Sequence, residues 1–155
     1  MISHVSASRI VALPADDVFN TITDLARLPD WNDAITAVIQ QPDRLEVGSE
    51  WIVEMHALGQ GWLSHSIAEA FDPTGRCFAY RSATDDGNPS YALWTWVVTE
   101  QPDGALVTAA CELHPQTFWR RVLLSRIRAR QLAQSEIPQS LVALEAAARS
   151  AAEAR

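Results

Sequence analysis

The chain contains no lysine. All twelve of its fixed cations are arginines, set against nineteen acids, and the net charge is −7. Arginine cannot shed its charge inside a protein, so each of these cations is permanent. An acidic balance of this size argues against nucleic acid as a partner. The arginines at positions 120, 121, 126, 128 and 130 form a local exception, which reads as a solvated helix face. A run of roughly 20 apolar residues is also missing, so no membrane span is expected. Met1-Ile2-Ser3-His4-Val5 has neither a basic start nor a long apolar core. That start predicts no secretion signal and a cytoplasmic location. Cysteine is scarce. Cys77 and Cys111 form no ligand motif with each other or with a histidine, and they read as reduced strand residues. Gly-rich phosphate loops, H-E-x-x-H and G-x-S-x-G are absent from the sequence, so neither a metal nor a nucleotide cofactor is expected.

What remains is 155 residues of 48% hydrophobic content, enough for one domain over 1–155 that buries roughly 70% of its extended surface. The stretch that organises it is the C-terminal one. Pro115 suits a helix start, and Phe118 to Leu144 holds no glycine and many good helix formers. A helix from about 116 to 148 is therefore predicted. On a 3.6-residue wheel, Trp119, Leu123, Ile127, Ile137, Leu141, Leu144 and Ala148 share its buried face. Arg126 and Arg130 fall on that face too. Either both heads reach water past the rim, or at least one turns inward and meets Glu69, Glu112 or an anionic end of a ligand; the second is predicted. Pro138 predicts an irregularity near residues 135–137.

Before that helix, Ile2–Leu13 reads as a weak strand ended by Pro14. Asp16 and Asp17 open a helix with Val18, Phe19, Ile22 and Leu25 on its apolar side. A short second helix is predicted over 28–33. Six strands follow: around 35–39, 51–56, 62–71, 76–84, 90–100 and 105–114. They are punctuated by Gly59-Gln60-Gly61, Asp72-Pro73-Thr74-Gly75 and Pro102-Asp103-Gly104. Antiparallel strands with segregated helices make an α+β domain.

Several stretches carry a family resemblance: Pro14-Ala-Asp-Asp-Val-Phe-Asn-Thr-Ile-Thr-Asp-Leu-Ala-Arg-Leu-Pro-Asp-Trp31, Phe71-Asp72-Pro73 before a Phe-x-Tyr strand, the Pro102-Asp103-Gly104 hairpin, and Pro138-x-x-Leu-x-x-Leu-Glu145. In these the chain resembles the SRPBCC (START-like) superfamily, with its polyketide cyclase/dehydrase-type members. The resemblance covers essentially the whole chain and rests on fold motifs. It implies a helix-grip (START- and Bet v-like) fold, in which about seven antiparallel strands curve around the long C-terminal helix and leave a cavity. It also implies that a third strand separates those bearing Cys77 and Cys111, which puts a disulfide out of reach. The superfamily shares no catalytic residues to carry over.

If the sheet is concave towards the helix, Trp94 and Trp96 on one strand and Phe78 and Tyr80 on another line the cavity, together with Trp51 and Met55. Such a surface suits planar or apolar ligands. Arg126 and Arg130 are the candidate ligand-binding cations. His65 shares its parity with Leu63, Ile67 and Phe71, which places it inward with Glu69 as a candidate base and its orienter. Three functions compete. The first is binding of a small hydrophobic, aromatic or polyketide- or lipid-like molecule. The second is a cyclase/dehydrase-type enzyme that uses a pocket base. The third is a surface interaction module with a filled cavity. The expected partner is the small ligand, with a homodimer left open.

Overall fold

The computed structural model describes residues 3–117 and 124–154. Strand β1 (Ser3–Val11) leads through Pro14 into helix α1 (Ala15–Thr23), whose first turn carries Asp16 and Asp17 at its positive end. A 3-10 turn, Leu25–Arg27, joins α1 to the short α2 (Leu28–Trp31). Six strands follow: β2 (Ile35–Gln40), β3 (Glu50–Ala57), β4 (Gln60–Asp72), β5 (Cys77–Thr84), β6 (Tyr91–Gln101) and β7 (Gly104–His114). They form one seven-stranded antiparallel sheet in the order β1-β7-β6-β5-β4-β3-β2. The only non-sequential neighbour is β1, which pairs with β7 from Ser3↔Leu113 to Val11↔Ala105. That closure depends on Gly104, which has φ +140°. A Cβ there would lie 2.1 Å from the Val11 carbonyl oxygen, so no side chain is accommodated.

The C-terminal helix lies along the inner face. It is built from α3 (Ser125–Gln131), a π-helical turn (Leu132–Glu136) and α4 (Ile137–Glu153). The irregularity expected from Pro138 takes this form. Proline has no N–H and clashes with the carbonyl four residues back, and the wider turn before it relieves both demands. Residues 115–117 are not helical, so the described helix starts later than expected and runs further, to Glu153. Trp119 and Leu123 lie outside the described residues. Ile137, Leu141, Leu144 and Ala148 are buried as the wheel predicts, whereas Ile127 is 42% exposed.

Helix and sheet are tied by polar contacts as well as by packing. Glu145 Oε1 accepts from Arg9 Nη2 at 3.1 Å, and Glu145 Oε2 accepts from the Ala12 N–H at 3.3 Å. Ser140 Oγ accepts from the Asp33 N–H at 2.9 Å, which pins α4 to the end of α2. The apolar core is continuous from α1 and α2 across the inner sheet face to α4. Cys77 and Cys111 are free thiols, on β5 and β7 with β6 between them. Among the described residues, no helix is long and apolar enough to cross a membrane.

Candidate functional site

The inner face of the sheet is an aromatic surface. Strict alternation along β3, β5 and β6 turns Trp51, Val53 and Met55, then Phe78 and Tyr80, then Trp94, Trp96 and Val98 inward, and all are buried. Trp94 and Trp96 stack at 6.2 Å, and Tyr80 stacks on Trp94 at 6.5 Å. Trp51 meets the edge of Tyr80 at 5.2 Å, and Trp31 of α2 meets Trp96 edge-on at 5.2 Å. Of the six side chains expected to line the cavity, all are buried, and Trp51, Met55, Tyr80 and Trp94 line the cavity described next, whereas Phe78 and Trp96 do not.

Between these rings and the helix lies a cavity of about 20 Å³, lined by Asn32, Ile35, Trp51, Val53, Met55, Ser66, Tyr80, Ser82, Trp94 and Glu136. It has room for about one water. A larger groove of about 450 Å³ lies at the Pro102–Gly104 hairpin and the start of α1, but it is open to solvent and has no aromatic lining. The enclosed cavity is therefore the candidate site.

Its lining is unexpectedly polar. Ser64, Ser66, Ser82 and Asn32 sit on or beside its floor, and the Ser64 and Ser82 hydroxyls hydrogen-bond each other. The strongest polar feature comes from the helix. Glu136 is 1% exposed, and both of its oxygens accept from Arg128, from Nη1 to Oε1 and from Nη2 to Oε2, the latter at 3.2 Å. Arg128 Nη1 also donates to Gln131 Oε1. The Arg128 guanidinium lies 5.8 Å from the centre of the Trp62 ring. Trp62 is half-buried and stands opposite Met55 across the β3–β4 ladder.

Burial acts on the neighbouring acids. It pushes the Tyr80 phenol well above its ordinary value, against the pull of a hydrogen bond with the Trp96 side chain. It also pushes the Cys111 thiol up to about 12; Arg128 pulls that value down, while Glu136 and Glu112 add to the rise. The Trp31 indole Nε1 is buried without a partner among the described residues.

Two sequence expectations about placement are corrected. His65 and Glu69 do not face the cavity. His65 lies on the outer sheet surface, 3.4 Å from Glu50, and Glu69 is exposed and pairs with Arg81 at 2.9 Å. The reason is a β-bulge. The ladder pairs Ala68 with Tyr80 but Ala70 with Ala79, so Glu69 is an extra residue that reverses the parity of β4. Phe71 faces inward and stacks on Phe19, whereas Leu63 and Ile67, two-residue steps before it, face out.

Arg126 and Arg130 are exposed as well, and the inward arginine is Arg128. In a regular α-helix, residues 126 and 130 would share the azimuth of Leu141 and Leu144. The π turn accommodates one extra residue, which rotates everything before it by about 100°. Ser125, Arg128, Ala129 and Leu132 become the sheet-facing set. Glu136 was overlooked in the sequence, although a signal was there. It is the only acid between Glu112 and Glu145, and it faces a stretch holding five arginines.

No curated protein matches the chain by sequence. Among solved structures, a protein from Thermus thermophilus superposes with a TM-score of 0.74 at 19% identity, covering 96% of this chain and 99% of that one. The Zhui aromatase/cyclase from Streptomyces sp. R1128 gives 0.73 at 18% identity, covering 99% and 94%. Ara h 8.0201 gives 0.71 at 14% identity, covering 97% and 99%. At these identities the likeness establishes the helix-grip fold. A family model described as "Polyketide cyclase / dehydrase and lipid transport" matches residues 3–149, nearly the whole chain, and the chain belongs to that family.

Proposed function

We propose that the chain binds a small, largely apolar molecule between the concave sheet and the C-terminal helix. One observation carries this reading. A core that needs only to be filled gains nothing from a carboxylate, serines and an asparagine at its centre, because each such group is costly to bury. Here Glu136, Ser66, Ser82 and Asn32 surround the one enclosed cavity described, within a wall of Trp51, Met55, Tyr80 and Trp94. An apolar wall with a few convergent polar groups is the usual make-up of a small-molecule site. The cavity as it stands admits about one water, so a larger ligand requires helix and sheet to part. The π turn is where the helix can change its hydrogen-bond pattern to do so.

The second reading is a cyclase/dehydrase-type reaction, favoured by the Glu136 carboxylate. It is the only carboxylate lining the cavity among the described residues, and a carboxylate is a group that can take a proton from a bound carbonyl compound. The family description and the aromatase/cyclase neighbours support a site of this general kind.

The test is native mass spectrometry and solvent extraction of the purified protein, followed by tryptophan-fluorescence titration with apolar aromatic compounds. A co-purifying or titratable ligand supports binding. If Trp94→Ala and Trp96→Ala leave its affinity unchanged, the ligand lies elsewhere. If neither extraction nor titration yields a ligand, the reading gives way to a surface interaction module with a filled interior.

A further inference from the structure

We infer that Arg128 is the specificity-determining residue of this cavity and selects ligands that carry a carboxylate. The inference rests on the binding function proposed above and names the chemical class of its ligand. A guanidinium has five N–H donors in a fixed fork. In Arg128 the two end-on donors are spent on Glu136, and the outer Nη1 hydrogen goes to Gln131. Two donors remain: Nε–H and the outer Nη2 hydrogen. Neither has a hydrogen-bond partner among the described residues. They lie side by side on one edge of the guanidinium and point in parallel, which is the arrangement that receives both oxygens of a carboxylate.

The surroundings favour that use. Glu136 and Gln131 hold the guanidinium in one orientation, so little freedom is lost when an anion docks on its open edge. Arg128 is 18% exposed, lies against the half-buried Trp62, and holds Glu136, which lines the cavity. Trp62 stands opposite Met55, which lines the cavity with Tyr80 and Trp94, so an apolar surface for the ligand's body adjoins its head. The charge balance also allows it. A guanidinium between Glu136 and a ligand carboxylate is over-neutralised, but α3 carries Arg126 and Arg130 within two residues on either side and has no acid of its own.

The experiment compares 2-naphthoate with its methyl ester, which have the same apolar body and differ in the anionic head. Affinities are read by tryptophan quenching and calorimetry on the full chain. Wild type is expected to bind the acid about ten-fold or more tightly than the ester, as befits a bidentate, charge-assisted contact. Arg128→Met alone strands a buried carboxylate and is prone to misfold. The decisive variant is therefore Arg128→Met with Glu136→Gln, verified as folded by circular dichroism. It is expected to bind the acid and the ester with similar affinity. Arg126→Met with Arg130→Met, an equal change of charge at exposed positions, is expected to keep the preference. Equal binding of acid and ester by wild type overturns the inference and leaves the apolar binding site standing. So does an acid preference that survives in the Arg128 and Glu136 variant. Failure of wild type to bind either compound overturns both.

Discussion

The middle of the sheet and its two flanking elements obey different rules. Along β5 and β6 the side chains alternate without interruption, so Phe78, Tyr80, Trp94 and Trp96 point the way a period of two demands. Along β4 and the C-terminal helix the period is just as regular on either side of one extra residue, but the phase is not continuous across it. Glu69 supplies that residue in β4, and the π turn Leu132–Glu136 supplies it in the helix. Each insertion exchanges the buried and exposed sets on one side. Glu69 places His65 outside, and the π turn places Arg128 inside at the expense of Arg126 and Arg130. Periodicity thus identifies faces reliably between irregularities and loses count at each one.

The largest test of this contrast is Trp96→Ala. Removing a fully buried indole from the uninterrupted region should cost about 3–5 kcal/mol in urea unfolding. Thr95→Ala, one position away on the outer face, should cost about 0.5 kcal/mol or less. Comparable losses at both positions would mean that β6 does not alternate as described.

Next is the phase of the helix. Removing one member of the buried pair, by Arg128→Met or Glu136→Ala, should cost about 3 kcal/mol, the lower end for a broken buried pair because Arg128 is partly exposed. Arg126→Met and Arg130→Met should each stay within about 0.5 kcal/mol. A reversed ranking would restore the regular α-helical phase.

The origin of the π turn can be tested directly. Deleting the exposed Ala133 removes the extra residue, but it restores the clash between Pro138 and a regular helical turn. The deletion should therefore cost up to about 3 kcal/mol, and adding Pro138→Ala should recover most of it. A deletion that is harmless while Pro138 is present would separate the π turn from the proline.

Thiol chemistry gives a smaller but cleaner contrast. Cys111 points inward on β7, and burial keeps it protonated up to about 12, so it should resist a thiol reagent until the protein unfolds. Cys77, half-buried on the outer side of β5, should label in the native state. The Cys111 pKa is raised above its unfolded value near 9. Its contribution to stability is therefore full below pH 9 and is lost as the pH rises towards 12. Unfolding measured between those limits should show that decline, and Cys111→Ala should remove its part of it.

The smallest effect is expected at the residues that the bulge moved. His65→Ala and Glu69→Ala remove only exposed ion pairs, so each should change stability by about 0.5 kcal/mol or less and leave ligand affinity unaltered. A loss of affinity in either variant would put that side chain back at the cavity.

By itself the sequence determined the α+β class, the seven strands, the two short N-terminal helices and the aromatic identity of the inner face. These follow from local signals: Pro14 before Asp16 and Asp17, turns at Pro73-Thr74-Gly75 and Pro102-Asp103-Gly104, and alternation along Tyr80, Trp94 and Trp96. Each can be read within a window of a few residues, because strand and helix periods are set by the backbone. Only the tertiary structure decided where those periods restart. Whether Glu69 is accommodated as a bulge depends on how β4 registers with β5, and the π turn depends on how a helix interrupted by Pro138 must meet the sheet on both sides of it. The pairing of Arg128 with Glu136 was decided there too. Eight residues apart in sequence, they meet because one wide turn brings both to the same face of the helix, where a buried carboxylate can persist only with a cation beside it.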